Sequence, residues 1–197
     1  RFAPTSDWKV IWRSILKTLD PSHEPPALDF EPLVHPAFSA DAALGAHAER
    51  ETFDRAAAFY QHARLLITPQ RRDQLHQLLA AGVEETSPPN FDTDAQADGS
   101  LGMLEGYASR IRFDGSQTQR TPIRADCNAE AAMVLSINAM LNPAHTLARQ
   151  IAGHLLDYVY GPEMQSMGRN DPKHPAYGLV AWGAISPAWK IANYGDD

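Results

Sequence analysis

Apolar residues at helical spacing recur along this chain, and they constrain its fold more than any other feature of the sequence. A first helix is predicted from Ser6, which can cap it, and Pro21 ends it. An alanine-rich helix is predicted from Ser39 to about Leu66, and a shorter one begins at Thr68–Pro69 and closes at Gly82. Such stripes favour helices that bury one face against a neighbour.

Two further helices are predicted in the second half of the chain. Apolar residues lie nearly all round the helix from Asp126 to Leu141, so we expect it to be buried. The next helix begins at Asn142–Pro143 and ends at Gly161. Its apolar stripe consists of Leu147, Ile151, Leu155, Tyr158 and Val159. Long helices joined by polar loops predict an all-α array of helical hairpins.

One small β-hairpin is expected to interrupt this array. Residues 113–116 predict a turn around Asp114-Gly115, and the flanking segments alternate between apolar and polar residues. Residues 84–97 are polar and contain prolines, which predicts a loop before the hairpin.

A proline-rich stretch divides the chain near its beginning. Residues 21–38 contain Pro21, Pro25, Pro26, Pro32 and Pro36, too many for a helix or an inner strand. We therefore expect a linker at 21–38, with the last helix of a preceding domain at 1–20 and the main domain at 39–197. The polar ends of the sequence predict an excerpt of a longer protein, so its native termini, signal peptide and localisation stay open.

Composition excludes several classes of function. The net charge is −7 and no run of lysine or arginine occurs, which argues against nucleic-acid binding. No apolar run reaches the length of a membrane span. A single cysteine, Cys127, excludes an internal disulfide, and the eight histidines show no paired metal-ligand spacing. We expect no metal and no cofactor, and the oligomeric state stays open.

Carboxylates, arginines and an aromatic residue fall close together between Asp98 and Glu130. Asp126 and Glu130 are four residues apart, so they share one face of their helix. Glycoside hydrolysis needs two carboxyl groups, one as acid and one as base or nucleophile. Asp126 and Glu130 are therefore the candidate catalytic pair. The alternatives are that Asp126 only caps the helix and that Glu130 forms a structural pair with Arg124.

Other residues are candidates for contact with a sugar substrate. Aromatic rings can stack on pyranose faces, and charged or amide groups can bind hydroxyls. The set comprises Asp98, Glu105, Tyr107, Arg124, His174, Tyr177 and Trp182. The competing interpretations are that Asp98 forms a turn, that the aromatic residues pack in the core and that His174 lies in a solvated loop. A buried core thiol is the favoured interpretation of Cys127.

Several segments resemble bacterial six-hairpin glycosidases. They are DGSLGMLEGY at 98–107, RADCNAEAAMVLS at 124–136, DPKHPAYGLVAWG at 171–183 and YGDD at 194–197. The resemblance implies an incomplete (α/α)6 toroid with the small hairpin as an insertion, and it places Asp196 and Asp197 near a sugar cleft. Residues 1–20 resemble the closing helix of a glutamine-amidotransferase-like domain.

These observations lead to the hypothesis of a glycoside hydrolase that cleaves an oligo- or polysaccharide by carboxylate acid/base catalysis. A carbohydrate-binding or scaffolding domain without turnover is the alternative from another class. A polysaccharide lyase is a third, and it needs a tyrosine or histidine base beside an arginine. If the protein is a polysaccharide hydrolase, a periplasmic or secreted location is slightly favoured, and a cytoplasmic location stays open.

Overall fold

Helices form most of the secondary structure in the computed structural model, which describes residues 6–28, 38, 43–88, 97–112 and 114–185. The helices within these ranges are α1 (Ser6–Leu19), α2 (Ala48–His62), α3 (Pro69–Ala80), α4 (Ala125–Leu141) and α5 (Thr146–Val159). None of the helices in these ranges is both long and apolar enough to cross a lipid bilayer.

A small antiparallel sheet accompanies the helices. Its strands are β1 (Glu85–Thr86), β2 (Gly106–Tyr107) and β3 (Gln119–Arg120), in the order β1-β3-β2. The strands β2 and β3 are the arms of the predicted hairpin, whereas β1 lies where a loop was predicted. β1 satisfies backbone groups on the second edge of β3, where Glu85 pairs with Arg120. The chain is therefore a mixed helix-and-sheet protein, and the prediction of an all-α (α/α)6 toroid is wrong.

The chain divides into two compact units. The smaller comprises Arg1–Ala48 and Ile111–Ser116, and the larger comprises Glu49–Arg110 and Gln117–Asp197. In the smaller unit α1 forms as predicted, and Arg13 and Lys17 both contact Glu24 beyond its end. The apolar face of α1 is largely exposed to solvent and contains Trp8, Ile11, Trp12, Ile15 and Leu19.

The core of the larger unit forms where α3, α4, α5 and three extended segments meet. Its largest apolar members include Leu65, Ile67, Leu75, Leu79, Met103, Leu104, Ile123, Leu135, Ile151 and Leu155. Burial of each such side chain contributes about 1.5–3 kcal/mol of transfer free energy. The apolar stripe predicted for α5 supplies part of this core, since four of its five residues are buried.

Helix α2 ends at His62, four residues before the predicted end. Arg64 has a φ angle of 57°, which breaks the helix, and the next residues are extended. The amide of Ile67 donates to Gly102 O at 3.0 Å, and the amide of Leu104 donates to Leu65 O at 2.9 Å. Residues 65–67 therefore find backbone partners across the core, which compensates for the lost helical turn.

The prediction that α4 is buried all round is wrong. Met133 and Met140 are 57% and 78% exposed, and Ile137 is also exposed. The opposite side of α4, which includes Leu135, packs into the core next to α5. In the described part of the chain, α5 packs against one side of α4, and the second apolar side faces solvent.

A polar cluster joins α2 to the connection between α4 and α5. Arg50 donates from Nε to Asp54 Oδ2 at 2.9 Å, and buried Asn138 donates from Nδ2 to Asp54 Oδ1 at 3.1 Å. His145 Nδ1 lies 2.8 Å from Asn138 Oδ1. These bonds satisfy both the nitrogen and the oxygen of the buried Asn138 amide.

Candidate functional site

Three extended segments of the larger unit converge beside the first turn of α4. The amide of Glu105 donates to Pro122 O at 2.7 Å, which joins the segment before β2 to the segment after β3. The amide of Ala125 donates to Trp182 O at 2.9 Å, and the amide of Ala184 donates to Ile123 O at 2.9 Å. These backbone bonds bring together the Arg124 cluster, which we define as Glu105, Arg120, Arg124, Asp126 and Trp182.

Arg124 is the centre of this cluster. Its Nη1 lies 3.9 Å from Glu105 Oε1, and its Nη2 donates to Asp126 Oδ2. Its guanidinium carbon lies 4.4 Å from the centre of the Trp182 ring, a cation–π geometry. The side chains of Arg124, Glu105 and Asp126 are 22–23% exposed, so solvent and small ligands reach them.

Glu105 lies between two arginines. Arg120 Nε donates to Glu105 Oε2 at 3.3 Å, on the carboxylate oxygen that Arg124 does not face. Arg120 also lies 3.6 Å from Glu84 Oε2. The cluster and Glu84 together therefore carry three carboxylates and two guanidinium groups, a surface rich in hydrogen-bond acceptors and donors with little net charge.

Asn128 holds the two sides of the cluster together, and the sequence analysis missed it. Its Oδ1 accepts from the amide of Met103 at 2.9 Å, and its Nδ2 donates to Arg124 O at 2.6 Å. The side chain is fully buried. It therefore fixes the segment that carries Glu105 against the residue that begins α4. An asparagine on an otherwise apolar helix was the available signal, because a buried amide requires partners.

The proposed catalytic pair Asp126 and Glu130 is not brought together by a shared partner. Asp126 joins the Arg124 cluster, and its Oδ1 accepts from the amide of Cys127 at 2.7 Å. Arg124 occupies the N-cap position, so Asp126 does not cap α4. Glu130 lies exposed on the surface of α4, and Arg124 pairs with Glu105 and Asp126 instead.

Cys127 lies next to the cluster with a thiol that ionises with difficulty. Burial, followed by the negative charge of Asp126, raises its pKa to about 12. A thiol that stays protonated at neutral pH is a poor nucleophile. This disfavours a nucleophilic role for Cys127, which is partly buried and lies outside the hydrophobic core.

Tyr107 lies near the cluster in sequence, but its hydroxyl is used inside the fold. Its OH donates to Ala63 O at 2.8 Å and lies 3.2 Å from Gln119 Nε2. Gln119 is fully buried and also donates to Arg64 O and accepts from Arg71. Tyr107 and Gln119 therefore connect the hairpin to the end of α2.

Asp98 forms a separate group with Ser100 and His154. Its Oδ1 accepts from the hydroxyl of Ser100 at 2.6 Å, and its Oδ2 lies 3.4 Å from His154 Nδ1. The Ser100 hydroxyl, then the Ser100 amide, lower the pKa of Asp98 below its ordinary value, and the nearby His154 adds to this. The turn-forming interpretation of Asp98 is therefore the one that its contacts support.

The remaining predicted residues lie in the loop after α5 or beyond it. His174 Nδ1 accepts from the amide of Ala176 at 3.1 Å, a contact within its own loop. Tyr177 is 56% exposed. Asp196 and Asp197 fall outside the described residues, so their predicted place near a sugar cleft stays a prediction.

No protein-family model, curated protein or solved structure matches this chain. Within the described ranges, His, Cys, Asp and Glu side chains form no group of three or more that is arranged to hold a metal ion.

Proposed function

We propose that the chain is a carbohydrate-active protein that cleaves a glycosidic bond, with the Arg124 cluster as its sugar-contacting site. The observation that carries this proposal is the placement of Glu105 and Asp126 on one guanidinium that also stacks on Trp182. In the revised catalytic pair, Glu105 replaces Glu130.

The cluster offers the groups that bind a sugar ring. Carboxylates and guanidinium groups supply acceptors and donors for vicinal hydroxyls, and a tryptophan supplies an apolar face for ring C–H groups. The side chain of Trp182 is half-buried, held in place by the backbone bond between Ala125 and Trp182. A rigid aromatic beside fixed polar groups is the usual composition of a small-molecule site.

Two carboxylates in one cluster support turnover. A retaining glycosidase needs its carboxyl groups about 5 Å apart, and an inverting one roughly 6.5–9.5 Å. Glu105 and Asp126 approach different nitrogens of the Arg124 guanidinium, so the two carboxyl groups lie in one cluster. In this role one of them gives a proton to the leaving oxygen and the other activates water or attacks the sugar.

Carbohydrate binding without turnover is the second candidate, and one observation favours it. Both carboxylates act as hydrogen-bond acceptors toward arginine in this arrangement, as hydroxyl binding requires. A lyase is less well supported. Among the described residues, the side-chain partners of Arg124 are Glu105, Asp126 and Trp182, so neither a tyrosine nor a histidine base contacts it.

The test is release of reducing sugar from a panel of plant and bacterial glycans. The full-length protein is compared with its Glu105→Gln, Asp126→Asn and Glu130→Gln variants. We expect the first two variants to lose about a hundredfold or more of the parent rate, because each removes a carboxyl that transfers a proton or attacks the sugar. The Glu130→Gln variant is the matched control and keeps the parent rate, since Glu130 is exposed and forms no hydrogen bond or ion pair with the described residues of the cluster.

The three variants separate the competing outcomes. Loss of activity in Asp126→Asn and Glu130→Gln, with Glu105→Gln unchanged, returns the catalytic role to the pair first predicted from the sequence. Glycan binding by the parent without release establishes the binding function. Absence of both release and binding across the panel rejects a carbohydrate function.

A further inference from the structure

A cavity of about 280 Å³ lies between the C-terminal half of α5 and the loop that precedes Met103. It is lined by Ser100, Leu101, His154, Asp157, Tyr158, Gly161, Pro162 and Glu163. Its volume is just below the range typical of small-molecule sites. Its residues differ from those of the Arg124 cluster, so the two are separate.

The wall formed by residues 99–102 is closely fitted to α5. A Cβ atom placed on Gly102 would approach Tyr158 Cε1 to 2.7 Å, and Gly102 has a φ angle of 77°. A Cβ on Gly99 would lie 3.0 Å from Ile151 O. Both positions require glycine, because contact and backbone conformation exclude a side chain. The loop is therefore held against α5 with Leu101 at the cavity.

The tautomer of His154 follows from its partner. His154 Nδ1 lies 2.9 Å from the carbonyl oxygen of Asp98, which can only accept a hydrogen bond. The proton must therefore be on Nδ1. In the neutral imidazole this leaves Nε2 as an acceptor, on a side chain that lines the cavity.

The hydroxyl donors of the cavity are already used within the protein. Ser100 Oγ donates to Asp98 Oδ1 at 2.6 Å, and Tyr158 OH donates to Glu163 Oε2 at 2.8 Å. Asp157 is exposed and has no hydrogen-bond partner among the described side chains. Among the side chains of the lining, those left to bind a ligand are therefore acceptors, and they include His154 Nε2 and the Asp157 carboxylate.

Most of the charged groups around the cavity are negative, as is the Asp157 carboxylate. Asp98, Asp157 and Glu163 carry negative charge, and Arg72, at 2.7 Å from Glu163 Oε1, is the cation that contacts one of them. His76 Nε2 lies 3.8 Å from Glu163 Oε2. The rest of the lining is apolar, with Leu101, Pro162 and the ring of Tyr158. Acceptors, negative charge and apolar walls together select a ligand with a cationic donor group and an apolar body.

We infer that this cavity binds a small organic cation, a protonated primary amine on an aromatic or alkyl body. The ammonium group donates to Asp157 and to His154 Nε2, and the apolar body lies against Leu101, Pro162 and Tyr158. This assignment does not depend on the carbohydrate function, because it uses none of the residues of the Arg124 cluster.

The test is a titration of the full chain with 2-phenylethylammonium, followed by amide chemical shifts. Neutral 2-phenylethanol and anionic phenylacetate are the matched probes of similar shape. We expect the amine to bind most tightly and to shift the amides of Ser100, His154 and Gly161. Asp157→Asn is expected to weaken amine binding by about two- to fivefold, as for an exposed ion pair. His154→Phe is expected to weaken it about fivefold through the loss of one acceptor.

The Glu130→Gln variant is the control for a general loss of negative charge, and it keeps the parent affinity. Equal shifts with phenylacetate overturn the charge assignment, and equal shifts with 2-phenylethanol show a purely apolar cavity. Amine-induced shifts that leave Ser100, His154 and Gly161 unmoved overturn the site itself. Circular dichroism of each variant separates loss of binding from loss of folding.

Discussion

Arg124 determines the positions of more site groups than any other residue of the Arg124 cluster. Its guanidinium holds Asp126, approaches Glu105 and covers part of the Trp182 ring, and its backbone oxygen binds Asn128. Hydrogen bonds to a charged group contribute roughly 1.5–3 kcal/mol each when they are shielded from water. The hydrogen bond to Asp126 and the stacking on Trp182 therefore favour one arrangement of the Arg124 side chain, and the ion pair with Glu105 adds to this.

The environment of Cys127 predicts that its thiol reacts slowly with alkylating reagents. With its pKa raised to about 12 from an ordinary 9.0, the thiolate population at pH 8 falls about a thousandfold. We expect alkylation by iodoacetamide at pH 8 to be slower than that of the unfolded chain by roughly this factor. Mass spectrometry of the native and urea-unfolded protein measures both rates on the same residue, since the chain has one cysteine.

The Asp126→Asn variant tests the cause of this slowness. The variant removes the negative charge of Asp126, which is the second-largest cause of the raised Cys127 pKa after burial of the thiol. We therefore expect Cys127 to react faster in this variant than in the parent. A native Cys127 that reacts as fast as the unfolded chain contradicts the buried placement of the thiol.

The lowered pKa of Asp98 predicts a pH-dependent contribution to stability. A carboxyl whose pKa is lower in the folded than in the unfolded state stabilises the fold above its unfolded pKa. That contribution is lost as the pH falls through the folded pKa, which lies below the ordinary 3.8. We expect Asp98→Asn to lower the free energy of unfolding by about 0.5–1 kcal/mol at pH 7, through the hydrogen bonds to Ser100.

The difference in unfolding free energy between the parent and Asp98→Asn should disappear as the pH falls below 3.8. Urea unfolding at several pH values measures this difference. Asp114 is the matched control, because Asp114-Gly115-Ser116 forms the same turn, with a 2.7 Å bond from Ser116 Oγ. Among the described residues no histidine contacts Asp114, so Asp114→Asn has the smaller effect. A gap for Asp98→Asn that widens at low pH is incompatible with the lowered pKa.

At the scale of elements, Asn128 joins α4 to the segment that leads into β2. We expect Asn128→Ala to lower the free energy of unfolding by about 1–3 kcal/mol, because the amide of Met103 loses its buried acceptor. Ser136→Ala on the exposed side of the same helix controls for the alanine substitution and changes stability by about 0.5 kcal/mol or less. Urea unfolding of both variants measures the difference, and equal stabilities would show that Asn128 holds nothing in place.

The two sides of α4 should respond differently to substitution. Leu135 is fully buried, so Leu135→Ala is expected to cost about 2–5 kcal/mol of unfolding free energy. Met140 is 78% exposed, so Met140→Gln should leave stability within about 0.5 kcal/mol of the parent. Thermal unfolding compares the two variants. A large loss in Met140→Gln would mean that this side of α4 is covered in solution.

Local patterns in the sequence predicted the elements whose structure depends on neighbours along the chain. The helices α1, α3 and α5 and the β2–β3 hairpin follow from apolar spacing, from Pro69 and from the Asp114-Gly115 turn. The early end of α2 was not predictable in this way, because residues 65–67 pair with residues 102–104 across the core. The exposure of one side of α4 also depends on which elements pack beside it.

The same limit applies to the site. Arg124 and Asp126 were recognised as chemically active, but Glu130 was chosen as a partner because helical spacing is the distance that a sequence displays directly. The observed partner Glu105 is nineteen positions before Arg124 in the chain and reaches it through backbone pairing. Trp182 reaches the cluster through the bond between Ala125 N and Trp182 O. Contacts between residues this far apart in the sequence leave no periodic pattern in it.

At the scale of the whole molecule, the described residues of the larger unit contain both candidate sites. The Arg124 cluster is built from segments around 105, 120–126 and 182, whereas the cavity beside α5 uses residues 100–101 and 154–163. Because they share no residue, variants at one site should leave ligand affinity at the other unchanged, as expected for independent sites.

The most direct test of the carbohydrate site is calorimetric titration of the full-length protein with a panel of oligosaccharides, repeated with Trp182→Leu and Tyr177→Leu. The account predicts that the parent binds at least one glycan and that Trp182→Leu weakens this binding roughly three- to tenfold, the contribution of one aromatic stacking contact. Tyr177→Leu, which removes an exposed aromatic of the neighbouring loop, should change the affinity less than twofold. A parent that binds none of the glycans, or a Trp182→Leu variant that binds as tightly as the parent, would contradict the placement of the sugar at the Arg124 cluster.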